Sequence, residues 1–178
     1  MKSPDKPAVK LVTGVLHPDS DWLDWTVKRL TPIWGPIETQ SETCFFSHTD
    51  YYRDISPSLY RTFLSFRGLA FAGDLAGWKH VSCSIEEESG RGRRVNIDPG
   101  YIDGARLVLA STKDHAHRIY IKEGVFAEVT LRFRFGAWEP FDYTFPDFAD
   151  GGYNDFLCTV RTQWLQDIRQ MKEADILD

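Results

Sequence analysis

The chain has 178 residues, 42% of them hydrophobic and 26% charged, a balance that excludes a disordered or collagen-like protein. This length fits one compact domain, because about 150 residues already bury roughly 68–70% of their unfolded surface. Lys and Arg number 21 against 26 Asp and Glu, a formal charge of −5, which favours solubility and makes nucleic acid and anionic lipid unexpected partners.

Residues 1–9 are polar with two prolines and predict a flexible segment; no apolar leader and no run of ~18 apolar residues follows, so a cytoplasmic protein without a membrane span is expected. Lys10 to Leu16 is apolar and β-branched and predicts a strand. Leu23, Val27, Leu30 and Trp34 then recur at helical spacing, with Pro32 expected to end the regular part early and Gly35-Pro36 to stop it. Ile37 to Ser47 and Thr62 to Phe66 read as neighbouring strands, joined through His48 to Ser58, a polar, aromatic loop long enough to carry functional groups. Leu75, Trp78, Ser82 and Ile85 predict a second helix ending near Ser89-Gly90, with a strand at Arg93 to Ile97. This order is that of a ferredoxin-like split βαβ half, in which two helices cover one face of an antiparallel sheet.

The second half predicts a C-terminal β-meander, with strands at Arg106 to Ala110, Arg118 to Ile121, Val125 to Phe135 and Phe141 to Phe145, and then a final helix. That helix places Phe156, Val160, Trp164, Ile168 and Met171 on one stripe. The whole reads as an α+β fold, one domain over 10–172 with a tail at 173–178.

The hairpin near Lys122 allows a finer expectation, since side chains alternate along strands and paired apolar faces must coincide. A three-residue loop at Lys122 to Gly124 sets Arg118 opposite Glu128 and Tyr120 opposite Phe126. Ile119, Ile121, Val125, Ala127, Val129 and Leu131 then share one face, and Arg118, Glu128, Thr130, Arg132 and Arg134 the other. That polar face is either solvated, with weak ion pairs, or a binding surface.

Four clusters carry candidate chemistry. Asn96-Ile97-Asp98-Pro99-Gly100 reads as a strand ending in an Asp-Pro-Gly turn, its carboxamide and carboxylate on one side, as a turn or as ligand or metal donors. Ser111-Thr112-Lys113-Asp114-His115-Ala116-His117-Arg118 mixes hydroxyls, imidazoles and cations in a way that suits a phosphate or other anion as well as a solvated turn. His115 and His117 have a metal-compatible spacing, but no Cys ligands support a metal, and Cys44, Cys83 and Cys158 never form a Cys-x-x-Cys pair. Asp50 and Tyr52 add an acid and a phenol on the early loop, while Phe141, Tyr143 and Phe145 read mostly as core. No G-x-x-x-x-G-K-[ST] loop exists, which excludes a P-loop GTPase, and no G-x-S-x-G elbow supports nucleophilic catalysis.

Thr49-Asp50-Tyr51-Tyr52, Asn96-Ile97-Asp98-Pro99-Gly100-Tyr101, Leu107 to Asp114, His117-Arg118-Ile119-Tyr120 and Ala127-Glu128-Val129-Thr130-Leu131 together resemble the bacterial domain-of-unknown-function family 4416, from about Lys10 to the last helix. The resemblance implies a stand-alone bacterial protein of this length and brings no established activity. The chain departs from the family's Thr-Tyr-Pro-Asp-Tyr by having Thr144-Phe145-Pro146-Asp147-Phe148.

The leading functional expectation is a protein that binds a small phosphorylated or anionic ligand, a nucleotide among the options. Lys113 and Arg118 would hold the anion, aided by Thr112. Asp98 and Glu128, with Asn96, would orient the cations or hold a magnesium ion with the ligand, and His117 would act as acid or base. The alternatives are a homodimeric interaction module and a metal-dependent hydrolase.

Overall fold

The computed structural model describes residues 8–47, 55–90 and 92–177. Strand β1 (Ala8–His17) is buried along nearly its whole length, because it lies mid-sheet with apolar side chains on both faces. Helix α1 (Ser20–Trp34) follows, its first turn capped by the Asp19 carboxylate, which accepts from the Trp22 N–H at 3.0 Å. Pro32 does not end it. Lys28, whose carbonyl loses its partner, is exposed to water along with Pro32, so the helix runs on to Trp34 and closes with the Gly35 N–H on the Thr31 carbonyl.

The expected strand from Ile37 is two strands, β2 (Ile37–Gln40) and β3 (Cys44–Phe46), both pairing antiparallel with β4 (Leu59–Phe66). The short β5 (Ala70–Phe71) pairs with the start of β1, and a single 3-10 turn leads into α2 (Leu75–Glu88). Then come β6 (Asn96–Ile102), β7 (Arg106–Ser111), β8 (Ile119–Lys122), β9 (Val125–Arg134), β10 (Ala137–Pro140), a short α3 (Pro146–Ala149) and α4 (Asn154–Leu177).

The fold is mixed α+β: an open antiparallel sheet of ten strands in the order β10-β9-β7-β6-β1-β4-β2, with β3, β5 and β8 on side branches. Its β6-β1-β4-β2 portion is compatible with the split βαβ order. Helices α1 and α2 cover one face through Leu23, Leu30, Leu75, Ala76, Trp78 and Ile85, which pack on Val9, Leu11, Val15, Leu64, Ile97 and Val108. The reverse face is covered by α3 and the first half of α4, where Phe148, Phe156, Leu157 and Val160 meet Val12, Phe63, Ile102, Leu107 and Leu131. Each such leucine, isoleucine or phenylalanine contributes about 1.5–3 kcal/mol by leaving water. Toward the C-terminal end of α4 the stripe emerges into water, and Met171 is 39% exposed.

Three expectations about the strands are corrected. Asp98-Pro99-Gly100 is no turn: β6 runs straight through it, paired residue by residue with β1. Phe141 to Phe145 is no strand, because the Phe135-Gly136 turn brings β10 in at Ala137, and the later residues fold into a turn held by the Thr144 hydroxyl, which accepts from the Phe141 N–H and donates to the Thr130 carbonyl. The β8–β9 connection is a two-residue turn at Glu123-Gly124 with both φ values positive, as a type I′ hairpin needs, and Ile121 is left over as a bulge. Tyr120 therefore still faces Phe126, as the alternation required.

A second bulge, at Thr130, breaks the face assignment expected for β9. Val108 pairs with Val129 but Leu107 with Leu131, so Leu131 and Phe133 cross to the α4 side while Ala127 and Val129 stay under α2. Glu128 and Thr130 thus lose Arg132 and Arg134 as same-face neighbours, and Arg132 pairs instead with Glu139 at 3.0 Å.

Candidate functional site

β6 and β7 are hydrogen-bonded neighbours only where Gly100, Tyr101 and Ile102 meet Leu109, Val108 and Leu107. From Pro99 back to Asn96 the strand keeps β1 alone, while Ala110 and Ser111 at the end of β7 keep β9 alone. The sheet therefore splits like an opened seam. Two residues explain where the split begins. Gly100 lies against β7 so closely that a Cβ would stand 2.2 Å from the Val108 carbonyl oxygen, and Pro99, the next residue outward, has no N–H to donate. Neither α3 nor α4 fills the gap, and a cavity of about 850 Å³ opens there.

The inner wall carries Asn96 and Asp98, whose side chains alternate with buried Ile97 and face the cavity. From α2, Lys79 reaches through the split. Its ammonium donates to the Ile97 carbonyl at 3.0 Å and to Asp98 Oδ1 at 3.1 Å, while Asn96 donates to Asp98 Oδ2 at 2.7 Å. Burial opposes the charge on Asp98, but Lys79, the nearby Arg61 and these hydrogen bonds outweigh it and hold the carboxyl below its usual range. Burial likewise opposes the Lys79 charge, yet Asp98 and Glu86 more than offset it and raise its pKa. The pair is ionised at neutral pH. Glu86 accepts from the Ile97 N–H at 2.7 Å and from Arg93 at 3.1 Å, and burial pushes its carboxyl upward.

The opposite wall is the β7–β8 loop and β9. Glu128 Oε2 accepts from Arg118 Nε at 2.9 Å and from His117 Nε2 at 3.0 Å. A carboxylate only accepts, so His117 carries a proton on Nε2, and in the neutral ring Nδ1 is the acceptor. Arg118 Nη1 donates to Ser111 Oγ at 2.8 Å and to the Lys113 carbonyl at 3.0 Å, which ties the loop back on itself. The His117 ring stacks on Tyr143 at 4.3 Å between centroids and on His115 at 5.7 Å. Burial and the Glu128 charge raise the Tyr143 phenol, whose hydroxyl donates to the Val129 carbonyl at 2.9 Å.

A third group closes the floor. Arg61, 6% exposed, is ion-paired with Asp147 and lies over the rings of Phe46 and Phe148, while Tyr153 donates to Asp147 at 3.0 Å. Burial and that carboxylate push the Tyr153 phenol far upward, so it remains protonated. Four of the five described cations that line the cavity thus each have a carboxylate partner: Arg61 with Asp147, Lys79 with Asp98, Arg93 with Glu86 and Arg118 with Glu128; the fifth is Lys113.

Of the residues singled out in sequence, Asn96, Asp98, Thr112, Lys113, His117, Arg118 and Glu128 all line this cavity, although they come from three separate stretches. Asp50 and Tyr52 lie outside the described residues. Strand alternation continued back from Ile119 would put His117 on the apolar side; it is instead hydrogen-bonded to Glu128 in the cavity wall, because β8 starts only at Ile119 and residue 117 still belongs to the loop. Tyr143 and Phe145, expected in the core, are each 38% exposed and wall the cavity. Phe145 and Phe148, where the chain departs from the expected family pattern, leave that part of the wall without a phenol.

Sequence reasoning missed Lys79, Glu86, Arg61 and Asp147. A visible signal existed for two of them: Lys79 and Glu86 lie seven apart, on the same side of α2 as Ser82, among otherwise apolar inward positions. Among the described residues no three His, Cys, Asp or Glu side chains come together as a metal site requires, and the carboxylates of Asp98 and Glu128 each face cationic or N–H donors of the protein, Lys79 and Asn96 on the one and His117 and Arg118 on the other. No helix of the described residues is long and apolar enough to cross a membrane.

The model of the family described as Domain of unknown function (DUF4416) matches residues 7–164, and the chain belongs to that family. No curated protein and no solved structure matches it.

Proposed function

We propose that this member of the DUF4416 family binds a small anionic ligand in the cavity between β6 and β7. The observation that carries the reading is the convergence on one concave surface of polar groups drawn from β6, the β7–β8 loop and β9. The anion sits at the β7–β8 loop, where Lys113, the hydroxyls of Ser111 and Thr112 and the guanidinium of Arg118 meet. Arg118 is fixed there through Nε and Nη1, and Nη2 has no hydrogen-bond partner among the described residues. A guanidinium already held by Glu128 and Ser111 loses little freedom on binding. His117, oriented by Glu128, presents Nδ1 as the group suited to proton transfer should the ligand be a substrate.

The test is thermal unfolding and calorimetric titration with inorganic phosphate and small phosphorylated compounds. A ligand at about 100 times its dissociation constant adds roughly 2.7 kcal/mol, which raises the midpoint of a chain this size by about 5–10 °C. Arg118→Gln abolishes the rise. If Arg118→Gln and Lys113→Ala leave every measured affinity unchanged, the anion site is elsewhere.

One observation favours a second reading, an interaction module. Among the described residues β8 pairs with β9 alone, and Ile119 is 71%, Tyr120 59% and Ile121 38% exposed along its other edge. Light scattering across a concentration series separates the readings, since a dimer through this edge is lost on Ile119→Lys and a monomer at all concentrations removes the case for it.

A further inference from the structure

The inner wall specifies the other end of the ligand. This rests on the reading that the rim binds an anion. Asp98 uses two of its roughly four acceptor positions, for Lys79 and Asn96, and Lys79 uses two of its three donors, for the Ile97 carbonyl and Asp98. An acceptor and a donor with capacity left therefore stand side by side. An ammonium group placed there would satisfy Asp98 and face Lys79 as a like charge; a phosphate or carboxylate would satisfy Lys79 and repel Asp98. A hydroxyl, which donates and accepts, suits both.

The charge balance points the same way. Four of the five cations that line the cavity among the described residues are each paired with a carboxylate, so little of that positive charge is left to meet the several negative charges of a polyphosphate, whereas a single phosphate needs only Lys113 and Arg118 at the rim. Tyr143 and Phe145, also in the lining, offer apolar surface for the carbon skeleton.

We infer that the ligand is a polyol or sugar bearing one phosphate, its hydroxyls on Asp98, Asn96 and Lys79 and its phosphate at Lys113 and Arg118. The experiment is calorimetric titration of the full chain with ribose 5-phosphate, glucose 6-phosphate, inorganic phosphate and ATP. At least one sugar monophosphate binds about tenfold or more tightly than both phosphate and ATP, since a hydrogen bond to a charged group contributes about 1.5–3 kcal/mol. Asp98→Asn removes that advantage and leaves phosphate binding within about twofold; Arg118→Gln weakens sugar phosphate and phosphate alike. Because Asp98→Asn strands the buried Lys79, the paired variant Lys79→Gln with Asp98→Asn, which removes both charges, repeats the measurement on a neutral wall.

ATP binding as tightly as the sugar phosphates overturns the inference, and so does an Asp98→Asn variant that keeps the sugar preference. In both cases an effect of Arg118→Gln on phosphate leaves the anion site standing. Loss of that effect, or no binding by any probe, overturns the anion reading with it.

Discussion

Among the described residues two lysines are buried and ion-paired, and they do different work. Lys10, 0% exposed, lies between β1, β2 and α4 with its ammonium 2.5 Å from both Glu38 and Asp167. Lys79, 5% exposed, lies between α2 and β6 with Asp98. Beside Lys10, Thr39 exchanges hydrogen bonds with Gln163, and Trp164 donates to the Ala8 carbonyl at 2.9 Å, so everything around it ties α4 to the sheet. Beside Lys79 the sheet is split and 850 Å³ stands open. A buried charge therefore marks a site only when its partner also faces a space that a ligand can enter; otherwise it is a strut.

The largest test of that contrast is Lys10→Ala. It strands two carboxylates at the seam and lowers stability by about 3–5 kcal/mol in urea unfolding, with no change in phosphate affinity once folded. Lys79→Ala has a destabilising effect of comparable origin, yet it also removes sugar-phosphate binding. Equal binding by the two variants would erase the distinction between strut and site.

Next in size is Gly100→Ala, where the added Cβ meets the Val108 carbonyl. Forcing β6 from β7 costs at least about 1–3 kcal/mol and alters the cavity mouth, so affinity and denaturation midpoint fall together. A midpoint unchanged from the parent would mean that the strands part freely and that Gly100 does not set the split.

A smaller effect is pH-dependent. His17, 1% exposed, donates from Nδ1 to the Asp19 carbonyl at 2.8 Å and accepts at Nε2 from the Thr62 hydroxyl, and burial lowers its pKa below 6.5. The unfolded chain thus binds a proton more readily than the folded one. Its contribution is present above pH ~6.5 and is lost as the pH falls toward the folded value, by at most about 1.4 kcal/mol per pH unit. His17→Gln should flatten the difference between midpoints at pH 7.5 and 5.5, and an unaltered slope would assign it to other groups. The smallest expected effect is His117→Gln, whose part-exposed ring should cost less than about 1 kcal/mol of stability while removing any proton transfer at the cavity.

Much of this fold is legible in the residue order. The spacing of Leu23, Leu30, Leu75, Trp78 and Ile85 marks both helices of one face, and the alternation in β7 and β9 marks their strands, because burial of an apolar stripe is a local property of the pattern. The site residues on the β7–β8 loop and on β6 are legible too, as polar groups crowded between apolar strands. What alternation could not reveal is where it is interrupted. The bulges at Thr130 and Ile121 leave no mark in composition, and one extra residue reverses every side chain beyond it. Asp98-Pro99-Gly100 has the composition of a turn, and only the presence of β1 on one side and the departure of β7 on the other make it a strand beside a gap.

By itself, then, the sequence determined the α+β class, the family, the faces of its helices and the polar groups available for a site. The tertiary structure alone decided that Asn96, Asp98, His117, Arg118 and Glu128 share one cavity, and that Lys79 and Arg61 join them. Local pattern specifies which side of an element turns inward, whereas the parting of two strands depends on a contact between residues eight or more apart, Gly100 with Val108 and Leu109, which no single segment encodes.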